Sequence, residues 1–341
     1  MKKYLFLTLI LFSSCQDEIS LDLPQSEKKI VVQASIEQGY PPYVILSKNE
    51  GYFDPIDRST LTNLFITDVE SIKIWYTDEN GIIEESRDLE LIPFLDTISI
   101  FSVNDYDFLN LNENQQPYSF SQEGRKYYLE IKRNNEIITA ETTIPISTPL
   151  DCLWVEQSET SNKNYKCDIR AIYSDPIDQQ NNILIKSKRI QHYERDDKDS
   201  CLVKNNIDFP FKLIDAGSDI LVNGQSFETY FPRPSDNGGF PTGQYNTEHS
   251  KICNGDSIKF KNDIVLLKFC QIDEVSLRFW RGLIRQSGTN GNPFAEPANL
   301  SSNINGGLGV FTGYGTVYYR IPIIKDTVIN ITNKPSVIDI F

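Results

Sequence analysis

The sequence predicts a mainly β protein with two antiparallel, sandwich-like domains, of which the second carries one amphipathic helix. Three observations support this class. Short segments alternate between apolar and polar residues, as half-buried strands do. Turn-forming pairs such as Asn80-Gly81 and Asn134-Asn135 separate several of these segments. A convincing helical period occurs in one segment, Asp273 to Gln286.

The first domain is predicted over residues 28–147. A hairpin turn is expected at 78–81, because Asn-Gly accepts positive φ angles. Short strands at this spacing, with no helical period between them, are typical of a β-sandwich. Pro145 and Pro149 bracket a short linker that ends the domain. The strand-like segments with a period of two are Val32–Ile36, Tyr43–Ser47, Ile72–Tyr76, Tyr127–Ile131 and Ile138–Ile144.

The second domain is predicted over residues 148–325, and residues 326–341 form a C-terminal tail. Strand-like segments recur in it, and the last of them, Val317–Ile321, is expected to pair back into the second sheet. Residues 208–246 are rich in Phe, Pro, Gly and Asp, which predicts long irregular connections.

The predicted helix has an apolar stripe that is expected to pack on the core rather than to bind a ligand. Asp273 is the expected N-cap, and Gly288 is expected just past the last turn. The stripe consists of Val275, Phe279, Trp280, Leu283 and Ile284.

The N-terminal residues predict export and a lipid anchor. Two lysines precede the apolar run Tyr4–Phe12, which is too short to span a bilayer. Small residues then precede Cys15, so residues 1–14 resemble a bacterial lipoprotein signal peptide. Cys15 would become the acylated N-terminus, and residues 15–27 would form the lipidated start and its tether. The alternative is an ordinary signal peptide followed by an incidental cysteine.

The residues after the anchor and the net charge bear on location and partners. Asp17 and Glu18 resemble the surface-export signal of Bacteroidetes lipoproteins, and an acidic linker is the alternative. The chain carries a net charge of −14 at pH 7. This charge disfavours nucleic acid as a partner, and it disfavours contact with anionic membrane surfaces beyond the anchor itself.

Five cysteines follow the lipidation position. Cys201 and Cys253 lie in polar, loop-like sequence and are the expected disulfide of an oxidising compartment. Cys152, Cys167 and Cys270 lie in apolar segments, where buried free cysteine is common. Since no pair has C-x-x-C spacing, zinc and thioredoxin-type chemistry have no support.

The sequence offers no catalytic set, and it predicts a protein that is not an enzyme and has no cofactor or metal. His192 and His249 are the only histidines, and both are expected at the surface or in simple hydrogen bonds. A hydrolase with two carboxylates remains an alternative, although 47 acidic residues make chance pairs almost certain. The acidic run Asp175 to Asn181 lacks the spacing and glycine of a calcium loop.

The glycines from Gly306 to Gly315 are not typical of a phosphate loop. They lack the Lys-Ser/Thr pair that such a loop needs, and a strand rather than a helix follows them. They therefore predict a tight turn or a close approach between two backbones.

Two further patterns concern the surface. Aromatic residues between Pro and Gly suggest a platform for sugar or peptide, while the alternative is that they pin a long loop to the sheet. These residues are Phe227, Tyr230, Phe231, Phe240 and Tyr245. Three short runs resemble the Bacteroidetes O-glycosylation acceptor and would place glycan on Thr97, Ser257 and Thr327.

Three groups of residues carry a family likeness. The first is Cys15 with the following Leu21–Pro24, and the second is Gly124–Pro145. The third and most specific is the helix end Leu283–Gln286 with the later Gly307–Phe311. Together they resemble the Bacteroidetes lipoprotein family that is catalogued as domain of unknown function 4249.

The resemblance implies a two-domain lipoprotein whose first domain is immunoglobulin-like and whose gene lies beside that of a TonB-dependent outer-membrane transporter. It assigns no catalytic residue. The hypothesis is therefore an outer-membrane lipoprotein that faces the cell exterior and acts as a non-enzymatic accessory or substrate-capture subunit of that transporter. A surface adhesin or structural module is the alternative.

Overall fold

The strands and the helix of this chain are known from a computed structural model. It describes ten ranges: 28–49, 64–95, 98–108, 116–157, 167–197, 200–207, 211–231, 258–289, 300–322 and 327–329. The chain is mainly β, and the described residues include one helix, α1, over Glu274–Thr289.

Eighteen strands are described. The first eight are β1 Ile30–Glu37, β2 Tyr43–Lys48, β3 Ser71–Thr77, β4 Ile83–Asp88, β5 Glu90–Leu95, β6 Ile98–Ser102, β7 Lys126–Arg133 and β8 Glu136–Thr143. The next six are β9 Cys152–Gln157, β10 Cys167–Ser174, β11 Asn182–Asp197, β12 Ser200–Ile207, β13 Lys212–Ser218 and β14 Ser226–Phe231. The last four are β15 Ile258–Gln271, β16 Ile304–Asn305, β17 Leu308–Pro322 and β18 Thr327–Ile329.

These strands form three sheets. The largest has nine strands in the order β12-β11-β15-β17-β1-β2-β6-β5, with β13 also paired to β11. A five-stranded sheet has the order β16-β8-β7-β3-β4, and a four-stranded sheet has the order β14-β10-β9-β18. Among the described strands, β1 and β17 pair in parallel and the other neighbours are antiparallel.

The segments with a period of two form strands, as predicted, because each has an apolar face that the sheets bury. Val32, Ala34 and Ile36 of β1 are buried, and so are the alternate residues of β3, β7 and β8. The turn residues Asn134 and Asn135 have positive φ angles, which the predicted hairpin between β7 and β8 requires.

The large sheet joins strands from both sides of the predicted domain boundary at residue 147. Val32 of β1 is the register partner of Gly309 in β17, and Ile36 is the partner of Gly313. Strand β17 then pairs with β15 through Leu267 and its neighbours. The two predicted segments therefore share one continuous hydrogen-bonded layer.

Both smaller sheets pack on the large one. The apolar face of β1 shares a core with residues of β3, β7 and β8 such as Ile74 and Leu129. Val265 and Leu267 of β15 share a second core with residues of β9 and β10 such as Val155. Helix α1 packs elsewhere, where Trp280 shares a third core with Cys270 and Tyr314.

Tyr127 makes a contact that supports the immunoglobulin-like expectation for the first segment. Its hydroxyl donates to the carbonyl of Phe120 at 2.8 Å and accepts from the amide of Gln122 at 2.8 Å. A tyrosine near a strand start that bonds to backbone a few residues upstream is a hallmark of immunoglobulin-like sandwiches.

The glycines of β17 allow a close backbone approach, as predicted. A Cβ on Gly313 would overlap the carbonyl oxygen of Thr143, and one on Gly315 would overlap that of Pro145. The chain that leaves β8 therefore crosses directly over β17. Without these glycines, the five-stranded sheet could not continue into the linker on this path.

Three local predictions are wrong. Residues 212–218 and 226–231, expected in irregular connections, are strands β13 and β14, since each finds an antiparallel partner. Helix α1 continues to Thr289, so Gly288 lies inside its last turn. Val275 is exposed, and the buried apolar residue in the first turn of the helix is Leu277.

The close approach predicts a large loss of stability for Gly313→Ala. The added Cβ must displace the backbone at Thr143, and forced overpacking of this kind costs roughly 1–3 kcal/mol or more. Gly217→Ala is the matched control, because a Cβ there has no atom within 4 Å. Urea unfolding should show a lower midpoint for Gly313→Ala alone, and equal midpoints for both variants would contradict the close approach.

Candidate ligand cleft and the buried charge cluster behind it

An open cleft lies where the turn after β1, the segment before β7, the linker after β8 and the middle of β17 meet. Its volume is about 890 Å³. We call it the tyrosine cleft. Its lining residues are Gln38, Gly39, Tyr40, Pro117, Tyr118, Ser119, Ser121, Gln122, Glu123, Ser147, Pro149, Thr316, Val317 and Tyr318.

Backbone hydrogen bonds hold the floor of the cleft. The amide of Gln38 donates to the carbonyl of Tyr314 at 3.1 Å, which ties the turn after β1 to β17. The amide of Gly39 donates to Ser121 at 2.9 Å, and the amide of Tyr118 donates back to Gly39 at 2.9 Å. These reciprocal bonds fix the distance between two walls of the cleft.

The linker between the predicted segments forms a third wall. The amide of Ser147 donates to Oε1 of Glu123 at 2.9 Å, so a carboxylate of the cleft anchors the linker. The amide of Leu150 donates to the hydroxyl of Tyr319 at 2.6 Å. Nε2 of Gln271 donates to the carbonyl of Thr148 at 3.3 Å. The linker is therefore fixed to both β15 and β17.

Tyr118 is fixed from behind by charged side chains. Its hydroxyl accepts from Nε of Arg87 at 3.1 Å and donates to Oδ1 of Asp105 at 3.0 Å. Burial raises the pKa of Tyr118 to about 12, and Asp105 adds to the rise while Arg87 opposes it. The phenol is thus neutral at physiological pH and serves as a rigid part of the wall.

The chemistry of the lining suits an uncharged polar ligand. Gln38, Ser119 and Gln122 are exposed and offer amide and hydroxyl groups, which both donate and accept hydrogen bonds. Glu123 is the one charged residue of the lining, and its carboxylate already accepts a backbone hydrogen bond. A charged ligand would find no opposite charge among the lining side chains except at Glu123.

A buried charge cluster lies behind the cleft. The ammonium of Lys268 on β15 donates to one carboxylate oxygen of Glu37 on β1, and both side chains are almost fully buried. The hydroxyl of Tyr318 donates to the other carboxylate oxygen. Tyr318 also lines the cleft, so one side chain connects the buried pair to the wall that a ligand would touch.

The surroundings of Lys268 favour its charged form. Burial lowers the pKa of Lys268, but the carboxylate of Glu37 outweighs it, and the net pKa is raised. The ammonium lies 4.7 Å from the ring centre of Tyr314 and 5.5 Å from that of Tyr318. Because aromatic faces attract cations, the rings contribute to holding this charge inside the sheet.

Lys186 is a second lysine at this cluster. Its surroundings disfavour the charged form, whereas those of Lys268 favour it. It is the register partner of Lys268 on the neighbouring strand β11, where like charges repel. Burial, and then the charge of Lys268, lower the pKa of Lys186 to about 7. Its amine lies 4.0 Å from the ring centre of Trp280, which favours the ammonium and offsets part of this effect.

The predicted aromatic platform is not formed by Phe231 or Phe227. Phe231 is only 2% exposed and shares a core with Phe269. Phe227 is half-buried and packs edge-on against Tyr173. Tyr230 is 55% exposed on β14, because alternate residues of a strand face opposite sides. Phe240 and Tyr245 lie outside the described residues.

Several predicted sites fall on parts of the chain that the structure does not describe. These include the lipidation position Cys15, Cys253 of the expected disulfide, His249, and the glycosylation positions Thr97 and Ser257. Cys201 lies on β12, His192 on β11 and Thr327 on β18. The disulfide, the anchor and the glycans remain predictions.

Two of the described cysteines are free thiols. Cys152 and Cys270 are free, with Cys270 fully buried in the third core. Burial raises the pKa of Cys270 to about 11, so the thiol is neutral and unreactive at physiological pH. This matches the expectation of buried free cysteine for Cys270.

The acidic run near Asp175 forms a hydrogen-bond network. Oδ1 of Asp175 accepts from the hydroxyl of Tyr173 at 3.1 Å and from Nδ2 of Asn181 at 3.0 Å. Oδ2 accepts from the amide of Gly224 at 2.9 Å. These donors occupy the oxygens that a calcium ion would need. Within the described ranges, no three His, Cys, Asp or Glu residues are grouped to hold a metal.

Sequence reasoning missed the residues of the tyrosine cleft and of the charge cluster. One signal was available: Lys268 interrupts the apolar run Ile264–Phe269, and a lysine in such a strand needs a buried partner. Nothing in the sequence indicates that this partner is Glu37.

Comparison with known proteins gives a family and no relative of assigned activity. The family model described as Domain of unknown function (DUF4249) matches residues 16–320. No curated protein matches the chain. The part of the chain that is described contains no helix with the length and hydropathy that a membrane crossing requires.

The lowered pKa of Lys186 predicts a pH-dependent effect of Lys186→Met. Between pH 7 and 10.5 the unfolded amine keeps its proton while the folded amine loses it, so wild-type stability rises with pH in that window. Below pH 7 both states are protonated, and the cost of burying the charge is complete. The variant should therefore have a higher melting temperature than wild type at pH 6. This difference in melting temperature should be smaller by at least about 2 °C at pH 10.

Differential scanning calorimetry at pH 6, 8 and 10 measures this difference. Lys212→Met, on the neighbouring strand β13, is the control for loss of a lysine outside the cluster. A difference between Lys186→Met and wild type that stays constant across this pH range would contradict the lowered pKa.

Proposed function

We propose that this chain, which belongs to the domain of unknown function family DUF4249, is an outer-membrane lipoprotein that captures an uncharged polar ligand for a TonB-dependent transporter. The observation that carries the proposal is the tyrosine cleft, which is open, built on fixed walls and lined by uncharged side chains except for Glu123. Such a cleft is suited to binding and release of a sugar or a peptide backbone.

The lining favours binding over hydrolysis. A glycoside hydrolase needs two carboxylates that face each other across the scissile bond. The tyrosine cleft has one, Glu123, and its Oε1 already accepts from the amide of Ser147. Histidine, the side chain that most often serves as a general base, does not occur among the residues that line the cleft.

The described chain enters β1 at one end of the strand, and the tyrosine cleft lies at the other end. The chain enters this strand at Ile30, and the cleft begins just after its last residue, Glu37. Eight residues of extended strand span about 25 Å. With an acylated Cys15, the cleft would therefore face away from the membrane, toward ligand arriving from outside.

An exposed apolar group next to the cleft supports a protein partner. We call it the apolar rim; it consists of Ile146, Ile177, Ile220 and Leu221, and Leu221 is 89% exposed. Ile146 precedes Ser147 of the cleft, and its carbonyl accepts from Gln179 at 3.2 Å. The amide of Asp219 donates to the carbonyl of Asn181 at 3.1 Å, which ties the loop that carries Ile220 and Leu221 to the loop that carries Ile177. Exposed apolar residues on adjoining loops are suited to an interaction surface, and a transporter that receives the ligand would dock here.

Site-specific photocrosslinking in native cells tests the proposal. A photoreactive phenylalanine analogue at Leu221 should crosslink to a TonB-dependent β-barrel transporter, identified by mass spectrometry. The same analogue at Ile83, exposed on strand β4, is the matched control and should give no such product. Cys15→Ser should abolish the crosslink, since the chain would lose its place at the membrane.

A second variant separates ligand capture from docking. Ser119→Trp fills the cleft and should reduce ligand-dependent growth while the crosslink from Leu221 remains; Ser71→Trp is the control on strand β3. Crosslinks to host or matrix proteins instead of a barrel would support the adhesin alternative. Absence of a barrel product at Leu221, with an acylated chain present, would overturn the transporter role.

A further inference from the structure

A second cleft lies at the other end of β1, where the chain enters the fold. Its volume is about 480 Å³, and it lies beside the start of β1, the end of β2 and the turn before β17. We call it the basic cleft. Its lining residues are Lys28, Lys29, Ile30, Lys48, Ile66, Arg133, Glu136, Gly306 and Gly307.

The basic cleft has a charge opposite to that of the chain. Four cationic side chains line it, and Glu136 is the one carboxylate of the lining. The whole chain carries −14. A local excess of positive charge in an acidic chain attracts anions to this place.

Asp68 fixes the orientation of Arg133 at the cleft. Its Nη2 donates to Oδ2 of Asp68 at 2.7 Å, and its Nε donates to Oδ1 of Asp68 at 3.3 Å. The hydrogen bonds from Arg133 lower the pKa of Asp68, so the carboxylate stays charged and keeps the guanidinium oriented. The bonds to Asp68 use the Nε and Nη2 side of the guanidinium and leave Nη1 outside this pair.

Hydrogen bonds also fix the residues at which the folded body starts, directly after the expected tether. The amide of Lys29 donates to Oδ1 of Asn49 at 2.6 Å, and the amide of Asn49 donates to the carbonyl of Lys29 at 3.3 Å. These two hydrogen bonds therefore hold the start of β1 beside the end of β2. Residues 28 and 29 are held as part of the folded body, and their charges stay at this end of it.

We infer that the basic cleft binds the phosphates of anionic membrane lipid headgroups, which no neighbouring cation of the lipid neutralises, an inference that rests on the lipid anchor of the proposed function. Residues 15–27, even fully extended, span at most about 45 Å, so an acylated Cys15 keeps this cleft close to the bilayer. Phosphate on an anchoring surface then reaches the lysines and arginine at high effective concentration.

Lipid phosphate fits the cleft better than a free anion. Lys28, Lys29 and Lys48 are exposed, whereas a site selective for free phosphate would enclose it with buried donors. The consequence is a fixed orientation. Contact at the basic cleft holds the start of β1 toward the membrane and keeps the tyrosine cleft, at its other end, toward the exterior.

Vesicle co-sedimentation tests the inference without the anchor. The full chain with Cys15→Ser is mixed with phosphatidylcholine vesicles that either contain or lack diphosphoryl lipid A. We expect binding to the lipid A vesicles alone. Replacing Lys28, Lys29 and Lys48 by Ala should weaken it on the order of 100-fold, at about fivefold per lysine, and high salt should reduce wild-type binding.

The matched control replaces Lys73, Lys126 and Lys212 by Ala, which makes the same change in net charge away from the cleft. Equal loss in both triple variants, or no binding to lipid A vesicles, would overturn the inference. Inorganic phosphate that raises the melting temperature, without vesicle binding, would overturn the lipid source. Mass spectrometry of the native N-terminus reports on the anchor separately, so failure of the anchor and failure of the cleft are distinguishable.

Discussion

The buried contact between Glu37 and Lys268 constrains how the two halves of the chain combine. Glu37 ends β1, Lys268 lies in β15, and β17 runs between them and contributes the hydroxyl of Tyr318. Two charges taken out of water cost several kcal/mol each unless they meet in good geometry. Any arrangement in which β1 lies elsewhere leaves a charge buried without its partner. The pair therefore favours the observed order β15-β17-β1 over other strand orders. Apolar burial alone would distinguish these orders less sharply, because apolar contacts are not specific for one partner.

The same constraint places the candidate site. Because β1 must lie beside β17, its following turn meets the 118–121 segment and the linker after β8, and the tyrosine cleft opens among them. Glycines at 313 and 315 let the linker cross β17 at backbone distance. Tyr318 then belongs both to the buried cluster and to the cleft wall. The charges of Glu37 and Lys268 thus hold the Tyr318 wall of the cleft in place. The proposal of ligand capture depends on this rigid wall.

The strands with a clear period of two, the turn between β7 and β8, and the helix could be predicted from sequence because their signals are local. Val32, Ala34 and Ile36 alternate, and Asn134-Asn135 accepts positive φ angles, whatever the rest of the chain does. The parallel pairing of β1 with β17 depends on partners at opposite ends of the chain, so no local pattern encodes it. The sequence around Glu37 does not distinguish it from the other acidic residues of this chain. Phe231 lies in sequence that is typical of a loop, and its burial follows only from the pairing of β14. Cleft residues such as Ser119 and Gln122 carry no pattern at all, since only the fold gathers them.

A double-mutant cycle on the buried pair, followed by urea unfolding, tests the central claim most directly. Glu37→Leu and Lys268→Met each leave one buried group without its partner, and each should cost about 3–5 kcal/mol. The double variant replaces both charges by apolar groups and should be more stable than either single variant. Single variants that each cost below about 1 kcal/mol and add in the double variant would show that the pair is neither closed nor buried, and the account would fail.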